Sequence, residues 1–131
     1  MNTTLELLDC IHTHLAAFEL PELWSVNITA SSVGPRVSVQ LAEHQLPEIA
    51  RGLLIWADTL TGVTVEAWRV PCGDCVHLSV TGDLSGGTAV CVFGGVSFTG
   101  RGLGAEHEPD SGTVLSLATL RGLATVGEVA A

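Results

Sequence analysis

Apolar residues recur at three- and four-residue steps near the start of the chain, a spacing that places them on one side of a helix. These residues are Leu5, Leu8, Ile11, Leu15 and Phe18. Thr3 and Glu6 have the spacing of a capping box, and Pro21 follows the last apolar position. The pattern predicts a helix that begins near Thr3, ends before Pro21 and buries this stripe.

The next segment alternates between apolar and polar residues, which is typical of half-buried strands. Trp24, Val26, Ile28 and Ala30 would share the buried face of the first strand. Turn residues occupy positions 31–35, and a second alternation follows through Val37, Val39 and Leu41. The two segments predict a β-hairpin.

A second helix is predicted from Pro47, because proline suits the first helical turn. Its buried stripe consists of Leu46, Ile49, Leu53, Trp56 and Leu60, and Thr61-Gly62 would close it. Gly52 inside this helix costs about 1 kcal/mol relative to alanine. We therefore expect another element to pack closely against Gly52.

The second half of the chain predicts strands at Val63–Val70, Val76–Val80 and Thr88–Phe93, with a further short strand at Val96–Thr99. The last segment is ambiguous: Asp110 or Ser111 suits the cap of a helix that runs to Ala124, whereas Thr113–Leu117 also reads as a strand. Short turns between strands favour antiparallel pairing. The fold class is therefore α+β, one domain over residues 1–131, with a mainly antiparallel sheet of five or six strands and two or three helices on one face.

The composition limits the classes of function that the protein could have. Fourteen acids against five arginines give a net charge of −9, and the chain has no lysine, so we expect no direct binding to nucleic acid. Hydrophobic residues make up 47% of the chain, and this apolar surplus predicts self-association. No stretch reaches the roughly 18 apolar residues of a membrane helix, and the first residues lack a signal-peptide pattern. We therefore expect a cytoplasmic protein that does not bind membranes.

The segment Val-Pro-Cys-Gly-Asp-Cys-Val-His at positions 70–77 contains the clearest candidate for chemistry. A Cys-x-x-Cys turn can direct two thiolates at one zinc ion. If Val80 pairs with Thr88 around the connecting loop, His77 lies opposite Cys91 on the less apolar face of the sheet. Zinc held by Cys72, Cys75, His77 and Cys91 is thus one alternative. The other is a glycine turn with small thiols and no cofactor.

Other motifs point to no catalysis. Gly100–Ala105 matches Gly-x-Gly-x-x-Ala, but Pro109 and acidic residues follow it where a nucleotide-binding fold needs a helix. His107 lies between two glutamates and lacks a catalytic partner in the sequence. Cys10 and His14 share a helix face, which we expect to be solvated or to lie in an interface. The sequence therefore favours a non-catalytic protein.

Trp68 is predicted on an exposed sheet face together with Glu66 and Thr64, and exposed tryptophan is typical of protein interfaces. We predict a small acidic cytosolic interaction or regulatory domain, homo-oligomeric, that serves as an inhibitor or adaptor of a protein partner. One alternative is a domain stabilised by zinc at the Cys-x-x-Cys segment. Another is a small-ligand-binding protein or enzyme with His107 at the rim of its pocket.

Overall fold

The computed structural model describes residues 4–31, 34–84, 87–98 and 107–130. Within these ranges, three helices and six strands follow one another as α1 (Thr4–Ala17), β1 (Leu23–Ser31), β2 (Gly34–Leu41), α2 (Leu46–Ala57), β3 (Thr61–Arg69), β4 (Cys75–Asp83), β5 (Ala89–Ser97), β6 (Ser111–Leu115) and α3 (Leu117–Ala130). The predicted cap Thr3 and the glycine-rich segment 100–105 lie outside the described residues.

All six strands form one sheet in the order β1-β2-β5-β4-β3-β6. Every neighbouring pair is antiparallel except β2 and β5, which run parallel with α2 in the connection between them. The predicted α+β class is confirmed. The parallel pair was not predicted, because it joins strands that are distant in sequence.

The core lies on one face of this sheet. The alternation predicted for the fourth and fifth strands is confirmed, since Val76, Leu78 and Val80 of β4 are buried and their neighbours are not. Buried residues of all three helices belong to the same apolar cluster. At Gly94 in β5, a Cβ atom would lie 2.7 Å from Cγ2 of Ile49. The missing side chain therefore allows α2 to lie close against the sheet.

Helix α2 is the central helix of the core, and its predicted stripe is confirmed. Ile49, Leu53 and Trp56 are fully buried. The close packing expected at Gly52 is also confirmed, because a Cβ atom there would lie 3.0 Å from Cδ1 of Leu41. The helix ends earlier than predicted, at Ala57, and Thr61-Gly62 begins β3.

The predicted buried face of α1 was only partly right, because Ile11 is buried as expected and Leu15 packs against the core, but other members of the stripe are exposed. The buried residues are Leu7, Ile11 and His14, whereas Leu5 is 77% exposed and Leu8 is 47% exposed. Leucines occur on both sides of this helix, so their spacing alone did not identify the buried side. The expectation that His14 is solvated or lies in an interface is corrected by its burial in the core.

His14 joins α1 to α2. Its ring stacks on that of Trp56 with the centroids 5.5 Å apart, and its Nε2 lies 2.8 Å from Oγ1 of Thr59. The Thr59 hydroxyl donates its proton to the Trp56 carbonyl, so Nε2 of His14 carries the hydrogen and donates it to Thr59. Nδ1 is buried and has no hydrogen-bond partner among the described residues. Burial lowers the pKa of His14 below its ordinary value of 6.5.

We expect His14 to make the fold less stable as the pH falls below neutrality. The unfolded chain takes up a proton near pH 6.5, whereas the folded chain resists protonation until a lower pH, so stability is complete above 6.5 and decreases towards the lowered folded pKa. Urea denaturation at several pH values between 7.5 and 5.5 measures the slope of the free energy of unfolding against pH. His14→Gln should reduce it, while the exposed His12 provides the control His12→Gln, which should retain it. An unchanged slope in His14→Gln would contradict this account.

Three other predictions are corrected. Trp24 is 69% exposed, because the register between β1 and β2 shifts between Leu23 and Ser25 and leaves Trp24 as the extra residue of a bulge. The ambiguous last segment contains the short strand β6 and then α3, but the predicted helix cap at Asp110 or Ser111 was wrong, because α3 begins at Leu117 and the Ser116 hydroxyl accepts a hydrogen bond from the Thr119 N–H. The separate strand expected at Val96–Thr99 is instead the end of β5, which continues to Ser97.

Candidate functional site

The face of the sheet opposite the helices carries the three residues predicted for an interface. Glu66 and Thr64 are exposed, and Trp68 is half-buried rather than exposed as expected. Hydroxyl, thiol and amide side chains surround them on the neighbouring strands: Ser38, Gln40, Cys75, Ser79, Thr81 and Cys91. We call this surface the open face, because no described helix covers it.

Three rings form a row across the open face. Trp68 meets His77 edge-on with the centroids 5.7 Å apart, and His77 stacks on Phe93 at 5.1 Å. Gly95 lies opposite His77, and a Cβ atom there would be 3.2 Å from Cδ2 of the imidazole. The glycine thus lets the ring lie close to β5. Burial lowers the pKa of His77, so this ring is neutral at pH 7.

Asp110 orients the tryptophan of this row. The indole Nε1–H of Trp68 donates to Oδ1 of Asp110 over 3.3 Å. Asp110 itself has a φ of 62°, a conformation that aspartate tolerates better than most residues, and its backbone N–H donates to the Arg69 carbonyl. The ring contact and this hydrogen bond explain why Trp68 is half-buried. Sequence reasoning missed Asp110, because nothing in the sequence places it beside β3.

The Cys-x-x-Cys segment forms the turn between β3 and β4. Gly73 has a φ of 81°, as its position in a tight turn requires, and its N–H donates to the Val70 carbonyl. Cys72 is exposed on this turn, and Cys75 begins β4. The predicted position of the turn is confirmed.

The predicted register that brought His77 to Cys91 was wrong. β4 continues to Asp83, so its loop to β5 is shorter than expected, and the pairing shifts by four residues. His77 lies opposite Gly95, and Cys91 lies opposite Thr81. Four residues along a strand span about 13 Å. Because the register shifts by an even number of residues, His77 and Cys91 still lie on the predicted face of the sheet.

The predicted zinc ligands therefore do not converge across this hairpin. In the part of the chain that the structure describes, no three His, Cys, Asp or Glu side chains are placed to share a metal ion. All four cysteines lie in that part, and none forms a disulfide. Zinc binding through Cys72, Cys75, His77 and Cys91 stays a prediction without a supporting contact.

A shallow depression of about 330 Å³ lies at one end of β3, β4 and β5. Gly62 and Gly82 contribute no side chains to it, and Asp83 is its charged residue. His107 is not among its lining residues; the His107 carbonyl instead accepts a hydrogen bond from Arg69 at 2.9 Å. The predicted rim position of His107 thus does not apply to this depression, and the ligand-binding alternative stays a prediction.

Exposed apolar side chains are concentrated in the first part of the chain. Of the eight large hydrophobic residues exposed in the described part, five lie between positions 5 and 26: Leu5, Leu8, Phe18, Trp24 and Val26. The other three are Ile55, Val114 and Leu117. Sequence reasoning missed this concentration because it assigned all five residues to buried faces.

The helical geometry shows how Leu8 of α1 is placed relative to β1. Cys10 meets Thr88 at the start of β5, so this flank of α1 faces the middle of the sheet. Leu8 lies about 200° around the helix from Cys10, on the opposite flank. Since α1 packs over β1 and β2, that flank lies towards the outer edge of β1. Leu5 lies about 200° from the buried Leu7 and points away from the sheet, so it does not adjoin β1. We call Leu8, Trp24 and Val26 together the α1–β1 strip.

Comparisons of the chain with protein-family models, curated proteins and solved structures found no match. None of the helices in the described residues has both the length and the apolar character needed to cross a bilayer. The described fold is of the α+β class, with one sheet face that no described helix covers and with exposed apolar side chains on α1 and β1.

Proposed function

We propose that this chain is a small, acidic, non-catalytic interaction domain that acts as a homodimer. The observation that supports the proposal is the α1–β1 strip, in which Leu8 and Trp24 are 47% and 69% exposed. Exposed apolar side chains on neighbouring elements are typical of association sites. Covering them removes apolar surface from water, which contributes roughly 25 cal/mol per Å².

The proposed partner is a second copy, and the proposed compartment is the cytosol. Four cysteines without disulfides are typical of a reducing environment. A net charge of −9 repels phosphate backbones, so the proposal includes no direct nucleic-acid contact. In this account the domain regulates or links its targets by binding and carries out no reaction.

A pair of matched serine substitutions tests the proposed function. Leu8 in α1 and Ile55 in α2 are both helical and are 47% and 43% exposed, so Leu8→Ser and Ile55→Ser should cost similar stability. We expect Leu8→Ser to weaken self-association about tenfold or more, because it places a hydroxyl in the strip. Ile55→Ser should associate like the wild type.

Sedimentation equilibrium over a concentration series measures both variants against the wild type. Equal weakening by both substitutions would show a non-specific loss of apolar surface and contradict the role of the strip. A wild type that remains monomeric throughout would contradict the proposed function itself.

The interface role of the open face is a separate proposal for a heterologous protein partner, with the protein as its adaptor or inhibitor. It is supported by the row of Trp68, His77 and Phe93, since clustered aromatic residues are typical of binding surfaces. Trp68 would be its central residue, with Glu66 and Thr64 beside it. This role is compatible with a homodimer, because the α1–β1 strip lies elsewhere.

A further inference from the structure

The outer edge of β1 is the backbone feature that adjoins the α1–β1 strip. β1 pairs with β2 on one side only, and no described strand pairs with its other side. After the bulge at Trp24, its pairing with β2 runs without interruption from Ser25 to Ser31. Alternate residues of this run direct unpaired N–H and C=O groups away from the sheet. Such an edge is a template for pairing with another strand.

Charged residues and proline, two of the usual protections of an edge strand, are absent from β1. The nine residues Leu23–Ser31 include no charged residue and no proline, in a chain whose net charge is −9. Proteins blunt exposed edges with charges, proline, bulges or very short strands. The bulge at Trp24 lies at the start of β1 and leaves seven regular residues. The other edge strand, β6, has only five residues.

We propose that β1 pairs antiparallel with β1 of a second copy about a twofold axis, which joins two six-stranded sheets into one of twelve strands. The proposal rests on the homodimer proposed above and names its contact. An isologous contact uses the same surface on both subunits, and an antiparallel strand pair has that symmetry. The strip on α1 and β1 would then meet its own copy beside the paired strands.

The charge distribution favours a second copy over a basic partner. Two acidic chains repel each other, so their contact should lie where the charge is lowest, and β1 is a nine-residue uncharged segment. A basic partner would gain no electrostatic attraction from this strand. The open face remains accessible in such a dimer, because edge pairing extends a sheet without covering it.

Amide hydrogen exchange of the full chain tests this contact directly. Strand pairing should protect alternate amides within Ser25–Ser31 at concentrations where the protein is dimeric, and this protection should disappear on dilution. The amides of β6 are the internal reference, since this edge stays unpaired in the proposed dimer. Their protection should not change with concentration.

A pair of threonine substitutions provides the matched variants. Thr29 in β1 and Thr113 in β6 are both exposed residues of edge strands. Thr29→Glu should weaken the dimer about tenfold or more, because paired strands would bring two like charges together. Thr113→Glu should leave both the dimer and the exchange pattern unchanged.

The possible outcomes distinguish a failure of the β1–β1 contact from a failure of the proposed homodimer. A dimer whose β1 amides exchange equally at all concentrations, and which tolerates Thr29→Glu, would overturn the strand contact and leave the homodimer standing. A wild type that stays monomeric would overturn both. Concentration-dependent protection in β1, with Thr29→Glu alone weakening the dimer, is the result that we expect.

Discussion

Replacing Trp56 with alanine should destabilise the fold by about 3–5 kcal/mol, because it removes the largest fully buried side chain of the core. The ring contacts His14 of α1 at 5.5 Å, so the substitution also loosens α1. A domain of this size has about 5–15 kcal/mol of stability in total. Urea denaturation should show a much lower midpoint, and hydrogen exchange should accelerate in α1 as well as α2.

Trp56→Phe is the matched control. The indole Nε1 is buried without a hydrogen-bond partner in the described part of the chain, so phenylalanine retains an aromatic ring and removes an unsatisfied donor. We expect this variant to lose far less stability than Trp56→Ala. If both variants lost the same stability, the ring stacking would contribute nothing and the packing account of α1 and α2 would be wrong.

Replacing Arg69 with alanine should destabilise the fold by about 3 kcal/mol or more. Its Nε donates to the Gly73 carbonyl at 3.0 Å, its Nη1 donates to the His107 carbonyl, and its guanidinium centre lies 3.5 Å from the centroid of the Phe98 ring. Hydrogen bonds of charged groups contribute about 1.5–3 kcal/mol each, and a cation–π contact adds about 0.5–2. The side chain thus joins the turn after β3, the end of β5 and the segment before β6.

The controls for Arg69 separate its geometry from its charge. Arg69→Lys keeps the charge but lacks the planar fork, so it should recover only part of the loss. Arg121→Ala removes the same charge from an exposed position of α3 and should change stability by less than about 0.5 kcal/mol. Hydrogen exchange of β6 should accelerate in Arg69→Ala, and unchanged protection of β6 would contradict this role.

The α+β class and the faces of the central strands were predictable from local pattern. Alternation places Val76, Leu78 and Val80 on one side whatever their partners are, because successive side chains of a strand point in opposite directions. The stripe of α2 was equally clear, since Ile49, Leu53 and Trp56 recur at three- and four-residue steps and Glu48 and Arg51 lie outside the stripe. Both predictions depend only on residues close together in sequence.

The register of β4 and β5 was not predictable, because it depends on where the loop begins. The predicted loop between Val80 and Thr88 included Gly82. In the structure Gly82 continues β4, where a Cβ atom would lie 3.0 Å from the Thr61 carbonyl oxygen. The glycine serves close packing rather than a turn. Because β4 continues through Gly82, His77 lies opposite Gly95 instead of Cys91. The pairing on which the predicted zinc site depended is therefore not formed.

The exposed apolar residues of α1 and β1 were not predicted, because apolar residues were assumed to be buried. Leu5 and Leu8 have the spacing of a buried stripe, but His14 and Leu7 occupy the core instead. The stacking of His14 on Trp56 joins residues far apart in sequence, and no local pattern reports it. The same assumption placed Trp24 in the core, although it lies at a bulge of an edge strand.

The mass of the full chain in solution shows whether the protein is a dimer. Light scattering coupled to gel filtration should show a species of twice the 13.6 kDa chain mass, dissociating only on dilution. Added salt should strengthen this dimer, because it screens the repulsion between two chains of charge −9. A mass of 13.6 kDa at every concentration and salt level would contradict the account.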